Sequence, residues 1–307
     1  MRRAVFVAAL CAALVGCGYV GDPKPPSLDI PQAVADLRAY EYGDRIIVQF
    51  SISEQSTEAL PLRSLSAVEV FAGPRSYSLP APKTGALEYE FAASDWVARD
   101  IELRVRATGP KGRVSAWSNV VKLTVIEPLE LPSSLRVQNV REGVRVSWQG
   151  KGPRFRIFRA NAAGEPQALA ESETGDYLDQ TSIYGMPYRY QVQAFASPAQ
   201  QGVLTEPVPI TPQDEFAPEV PAGVGGIAAI ASVELAWQPG ADEDLAGYNI
   251  YRAADDGAFE LLASGVRSPA YSDSKVTAGK RYRYAVTSVD ATGNESARAM
   301  PVEVVVP

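Results

Sequence analysis

Three blocks of alternating residues recur along this chain in a fixed order. Val144-Arg-Val-Ser-Trp148 matches Val233-Glu-Leu-Ala-Trp237, Phe155-Arg-Ile-Phe-Arg-Ala160 matches Tyr248-Asn-Ile-Tyr-Arg-Ala253, and Tyr188-Arg-Tyr-Gln-Val-Gln-Ala194 matches Tyr282-Arg-Tyr-Ala-Val-Thr-Ser288. The offsets are 89, 93 and 94 residues, so loop changes account for the drift. A more distant copy precedes them, in Ile46-Ile-Val-Gln-Phe50, Ala67-Val-Glu-Val-Phe71 and Ile101-Glu-Leu-Arg-Val-Arg-Ala107. A repeat of this length demands an array of small modules rather than one large domain. Each block alternates apolar and polar positions, as a strand with one buried and one wet face must. Gly and Pro separate the strands. The expected fold class is therefore all-β, with three tandem sandwiches.

Composition limits the chemistry. The 307-residue chain has no His and two Cys, Cys11 and Cys17, both near its start. The body thus has no thiolate nucleophile or disulfide, and neither Ser-His-Asp chemistry nor His-ligated zinc is available to it. Without Arg2 and Arg3, 27 basic side chains face 36 acidic ones, a net charge near −9. That argues against nucleic acid, which requires concentrated positive charge.

The first residues order as a targeting leader. Arg2-Arg3 precedes an apolar run from Ala4 to Gly16, 13 residues long, which ends in Leu14-Val-Gly-Cys17. A permanent helical span needs about 20 residues. The Leu-Val-Gly-Cys box resembles the bacterial lipoprotein signal. The resemblance implies cleavage before Cys17 and acylation of that residue, including palmitate, with Gly18 leaning toward an outer membrane where the cell has two. Several acyl chains on one residue give stable anchoring. The leaflet stays open. Residues 18–30, rich in Gly and Pro, read as a tether.

The repeats resemble fibronectin type III domains. The third is clearest, in Pro218-Glu-Val-Pro221, Val233-Glu-Leu-Ala-Trp237, Asp244-Leu-Ala-Gly-Tyr-Asn-Ile-Tyr-Arg252, Tyr282-Arg-Tyr-Ala-Val286 and Asp290-Ala-Thr-Gly-Asn-Glu-Ser296. The family implies core roles for Trp148 and Trp237, and tyrosine-corner roles for Tyr188 and Tyr282. In the first repeat Phe50 and Ile101 stand at those places, which implies no corner hydrogen bond there. The segment Gly112-Arg-Val-Ser-Ala-Trp-Ser-Asn119 resembles the family's entry to its last strand, and implies a core role for Trp117. The expected division is a signal peptide over 1–16, lipidated Cys17 and tether over 17–30, and modules over 31–127, 128–212 and 213–307. The short Pro-containing seams predict restrained junctions.

Candidate sites are few. Trp96 lies less constrained between strands; core packing is its favoured reading, and a candidate contact residue is the second. Asp242, Glu243 and Asp244 offer oxygens of the kind Ca²⁺ prefers, but without EF-hand spacing, so no metal or cofactor is expected. Asp290 and Glu295 in a turn supply no opposed pair of the glycosidase kind. The long stretch Ser51–Leu65 is either a binding loop or a surface connection. No catalytic residue is expected. The expected function is a non-catalytic, lipid-anchored envelope protein that presents a protein- or glycan-binding surface or acts as a spacer. Alternatives are an accessory subunit of an envelope secretion, polymer-assembly or hydrolase complex, and a carbohydrate-binding module.

Overall fold

The computed structural model describes residues 28–80 and 82–307. The leader, Cys17 and most of the tether lie outside the described residues. Every regular element among the described residues is a strand.

The first repeat holds β1 (Arg38–Tyr42), β2 (Arg45–Ile52), β3 (Ala67–Ala72), β4 (Arg75–Ser78), β5 (Gly85–Ala92), β6 (Asp100–Thr108) and β7 (Val121–Thr124). They form one sheet ordered β1-β2-β5 and another ordered β4-β3-β6-β7. The third repeat has β16 (Gly225–Ala228), β17 (Val233–Ala236), β18 (Leu245–Ala254), β19 (Glu260–Val266), β20 (Ala270–Asp273), β21 (Arg281–Asp290) and β22 (Val302–Val305). Its sheets run β16-β17-β20 and β19-β18-β21-β22, the same order. The second repeat follows suit. Its strands are β8 (Ser133–Val140), β9 (Gly143–Gln149), β10 (Arg154–Asn161), β11 (Gln167–Ser172), β12 (Asp176–Asp179), β13 (Tyr188–Ser197) and β15 (Val208–Ile210). They pair as β8-β9-β12 and β11-β10-β13, with β15 on β13. The chain is all-β, with three tandem fibronectin type III-like sandwiches.

Alternation builds the cores. On β6, Ile101, Leu103, Val105 and Ala107 are buried while Asp100 and Glu102 are exposed. They meet Ile46, Val48 and Phe50 of β2 in one apolar cluster. In the third repeat, Val233, Leu235 and Trp237 meet Tyr248, Ile250, Tyr284 and Val286.

Contacts divide the molecule into two compact units. The first runs through Glu130 and also takes Phe195–Val203; the second takes Leu131–Ala194 and Leu204–Pro307. Within the first unit, a short strand β14 (Gln200–Gln201) pairs in parallel with Glu41 and Tyr42 of β1. Glu41 N–H donates to the Ala199 carbonyl and Gly43 N–H to that of Gln201, both at 2.8 Å. Gly43 has φ +59, and a Cβ there would meet Val203 Cγ2, so both conformation and space call for glycine. An otherwise open edge strand is thereby covered.

Within the second unit, the segment between the second and third repeats is held from several directions. Asn139 Nδ2 donates to Gln213 O at 2.6 Å, Arg141 to Ala217 O at 2.6 Å, and Asn294 Nδ2 to Asp214 O at 3.1 Å. Glu219 N–H donates to Asp242 at 3.1 Å.

Candidate functional site

The second and third repeats each bury a charged cluster between their sheets. Asp179 at the end of β12 and Asp273 at the end of β20 have side chains 0% and 1% exposed. Each points inward because it pairs with the first apolar residue of its neighbouring strand, Val144 and Val233. Asp179 accepts from Tyr190 OH at 2.6 Å, Arg159 at 2.7 Å and Thr181 N–H at 2.9 Å. Asp273 accepts from Tyr284 OH at 2.8 Å, Arg252 at 2.8 Å and Lys275 N–H at 2.9 Å. Burial alone would raise both carboxyls, but these donors outweigh it and hold both below their ordinary value. Burial first, and then the neighbouring aspartate, push the hydroxyls of Tyr190 and Tyr284 far up, so both stay neutral donors.

The corner tyrosines lie beside these clusters. Tyr188 OH accepts from Ile183 N–H at 3.2 Å, and Tyr282 OH from Thr277 N–H at 3.1 Å. Arg159 stacks over the Tyr188 ring at 4.9 Å and Arg252 over Tyr282 at 5.2 Å. Trp148 and Trp237 are buried, and meet Phe155 and Tyr248 edge-on at 5.5 and 5.1 Å. The Arg-Asp-Tyr cluster was not among the expected sites. Two of its three members nevertheless recur in the matched blocks, as the Arg of Ile-Phe-Arg and Ile-Tyr-Arg and the second Tyr of Tyr-Arg-Tyr. Its carboxylate, guanidinium and hydroxyl bond to one another and tie strands of both sheets together.

The remaining two tryptophans divide: the core reading of Trp117 is corrected, and so is the second reading of Trp96, as a contact residue. Trp96 is only 4% exposed and belongs to the first core cluster, as its favoured reading expects. The turn after β5 folds its indole back toward Gly73, where no side chain obstructs it. Trp117, expected in the core, is 45% exposed. Residues 113–120 bury every third position, Ser115 and Ser118. Those two hydroxyls accept from Ala107 N–H at 3.0 Å and Val105 N–H at 2.9 Å. Trp117 therefore points outward, with Phe71 edge-on at 4.9 Å and the Arg106 guanidinium at 5.0 Å.

The acidic residues converge differently from expectation. Carboxylate oxygens of Asp214, Asp244 and Asp290 lie within 4.8 Å of one another. This is the donor type of a hard cation. Yet Asp290 Oδ1 already accepts from the N–H groups of Thr292, Gly293 and Asn294 at 2.9, 2.7 and 2.8 Å. Its other oxygen accepts from Asn294 Nδ2 at 2.8 Å. It caps the turn. Burial, followed by the charges of Asp214, Asp290 and Asp242, holds Asp244 above its ordinary value. Glu295 accepts from Tyr251 OH at 2.7 Å and from the Thr287 hydroxyl. In the Ser51–Leu65 stretch, buried Ser56 accepts from Glu58 and Leu60 N–H at 3.3 and 3.4 Å, leaving Glu54, Thr57 and Glu58 exposed.

No family model matches the chain. Parts of it are similar to large enzymes. Amylopullulanase from Thermoanaerobacterium saccharolyticum is 38% identical over 100 residues, which is 32% of this chain and 8% of the enzyme. Exoglucanase B from Cellulomonas fimi is 28% identical over 167 residues, 52% of this chain and 15% of the enzyme. Chitinase A1 from Niallia circulans is 35% identical over 97 residues, 31% of this chain and 13% of the enzyme. The chain thus spans a small fraction of these relatives. Among solved structures, the FN1-FN3 domains of chicken CNTN1 cover 90% of this chain and 99% of their own at 13% identity and TM-score 0.31. A two-domain fibronectin type III segment of chicken tenascin covers 58% and 100% at 16% identity and TM-score 0.40.

Proposed function

We propose that this chain is a non-catalytic, lipid-anchored protein of the bacterial envelope, whose three sandwiches present a binding surface to an envelope protein or glycan. The observation that carries the anchor is the Leu14-Val-Gly-Cys17 box behind a basic and apolar leader. The buried and turn carboxylates are engaged by the fold. Asp179 and Asp273 bind Arg and Tyr, while Asp290 and Glu295 accept from neighbouring turn and strand groups.

A second reading is an accessory subunit of an envelope hydrolase complex. It is favoured by the names of the enzymes with similar segments, amylopullulanase, exoglucanase and chitinase, of which the matched part is 8%, 15% and 13%. In either role the modules supply spacing and contact, and the chemistry belongs to a partner.

Metabolic labelling with palmitate, followed by fractionation, tests the anchor. The wild-type chain should carry label and sediment with membranes, and Cys17→Ala should lose both. A wild-type chain without label, free in the soluble fraction, would overturn the reading. Recovery of one fixed hydrolase after crosslinking, against an unrelated lipoprotein control, would favour the second role.

A further inference from the structure

Strand alternation gathers a polar cleft on the outer face of the first repeat. Arg38 of β1, Gln49 of β2 and Glu88 of β5 lie side by side in register, and Tyr40, Ile47 and Glu90 form the next row. Asp36, Arg38, Gln49, Ser51, Ala86 and Glu88 line an open cleft of about 290 Å³. Internal bonds shape it. Ser51 N–H donates to Asp36 Oδ1 at 2.9 Å, and Gln49 Nε2 to Glu88 Oε2 at 2.8 Å. Those bonds aim the Gln49 amide and orient two carboxylates without using all their lone pairs. Half-buried Tyr40 borders the row, its hydroxyl raised by burial and by Glu88, so the ring stays neutral.

The cleft thus combines acceptors, a guanidinium donor, an amide that does both, and an adjacent aromatic ring, with opposite charges close together. A strongly charged ligand would meet one wrong partner for each right one. A pyranose does not. Its hydroxyls both donate and accept, and its ring has an apolar face suited to an aromatic side chain.

The matching face of the third repeat is built otherwise. Gly225, Glu234, Ala236, Ala270 and Ser272 are exposed there, and Glu234 Oε1 already accepts from Ser232 and Ser272 hydroxyls, both at 2.7 Å. We infer that the outer face of β1-β2-β5 is a subsite for a neutral chain of hexopyranose units, held by Arg38, Gln49 and Glu88 and stacked on Tyr40. This rests on the proposal that the modules present a glycan-binding surface.

Calorimetric titration of the full chain in detergent micelles with cellohexaose, maltohexaose and chitohexaose tests it. At least one should bind saturably, and the preferred sugar separates a glucan from an N-acetylated polymer. Tyr40→Ala and Gln49→Ala should each weaken binding by about tenfold or more, while Tyr40→Phe, which keeps the ring, stays within about threefold. Glu234→Ala in the third repeat should change nothing. Thermal melts establish that the variants fold. No binding of any of the three sugars, or unchanged binding in folded Tyr40→Ala and Gln49→Ala, overturns the subsite. Binding that survives both variants leaves a glycan surface elsewhere, and palmitate labelling reports on the anchor independently.

Discussion

The first and third repeats share a strand order but close their sheets by different chemistry. In the third, Arg252 pairs across β18 and β21 with Tyr284, and Asp273 pairs with Val233. In the first, the matching pairs are Ala72 with Leu103 and Phe91 with Ile46. A buried Arg-Asp-Tyr cluster in one is thus Ala, Phe and Leu in the other. Trp96 adds apolar bulk to that same first core. Their surfaces differ too. Trp117 of the first repeat leans on Arg106, whereas Arg298 of the third lies over the Tyr251 ring at 4.3 Å. One backbone plan therefore accepts either an apolar plug or a hydrogen-bonded ion pair. Breaking a buried pair is costly, while replacing all of it by apolar groups is often neutral.

The largest expected effect breaks the charged version. Asp273→Ala should cost about 3–5 kcal/mol, because Arg252 and Tyr284 lose a buried acceptor. Substituting the whole cluster with the first repeat's residues, as Arg252→Ala, Asp273→Phe and Tyr284→Leu together, should cost less than that single change. Chemical denaturation followed by peptide-resolved hydrogen exchange in the second unit measures both. A triple variant less stable than Asp273→Ala would show that the two cores are not interchangeable.

Next are the two tryptophans. Trp96→Ala should cost about 3–5 kcal/mol, as expected for a large buried side chain. Trp117→Ala should cost about 1 kcal/mol or less, since it gives up an exposed cation–π contact. Equal losses in urea melts of the first unit would contradict their different burial.

The smallest effect lies in pH dependence. Asp179 and Asp273 sit below their ordinary value when folded. Their contribution is complete above the unfolded carboxylate value and is lost as pH falls through the lowered folded one. Glu41 in the first unit runs the other way. Burial raises it despite a hydrogen bond from Ile126 N–H, so its contribution is present at low pH and lost as pH rises through the raised folded value. Acid should therefore weaken the second unit more than the first. Equal shifts of both units in acid-titrated hydrogen exchange would refute that difference.

Much of this was legible in the chain. The matched blocks predicted three sandwiches because alternation reports directly on which face is dry. Trp148, Trp237, Tyr188 and Tyr282 stood within those blocks. The Asp179 and Asp273 clusters were harder to see, because Asp at a strand end usually signals a solvated turn. Trp117 is exposed where the resemblance implied a core place, while Trp96 is buried as core packing requires. Both lie outside regular strands, where period two gives no guidance; at Trp117 the two buried serines decide which way the indole points. The strand at Gln200–Gln201 left no signal either, since two residues cannot show a period.

The sequence by itself determined strand identity, the repeat of modules and the absence of histidine, since each depends on residue type and near-neighbour order. The tertiary structure alone decided that Phe195–Val203 joins the first unit, that two aspartates meet arginine and tyrosine in the dark, and that Asp36, Arg38, Gln49 and Glu88 share one cleft. These depend on register between distant strands. Register follows from the summed packing of whole faces, which no short stretch of sequence contains.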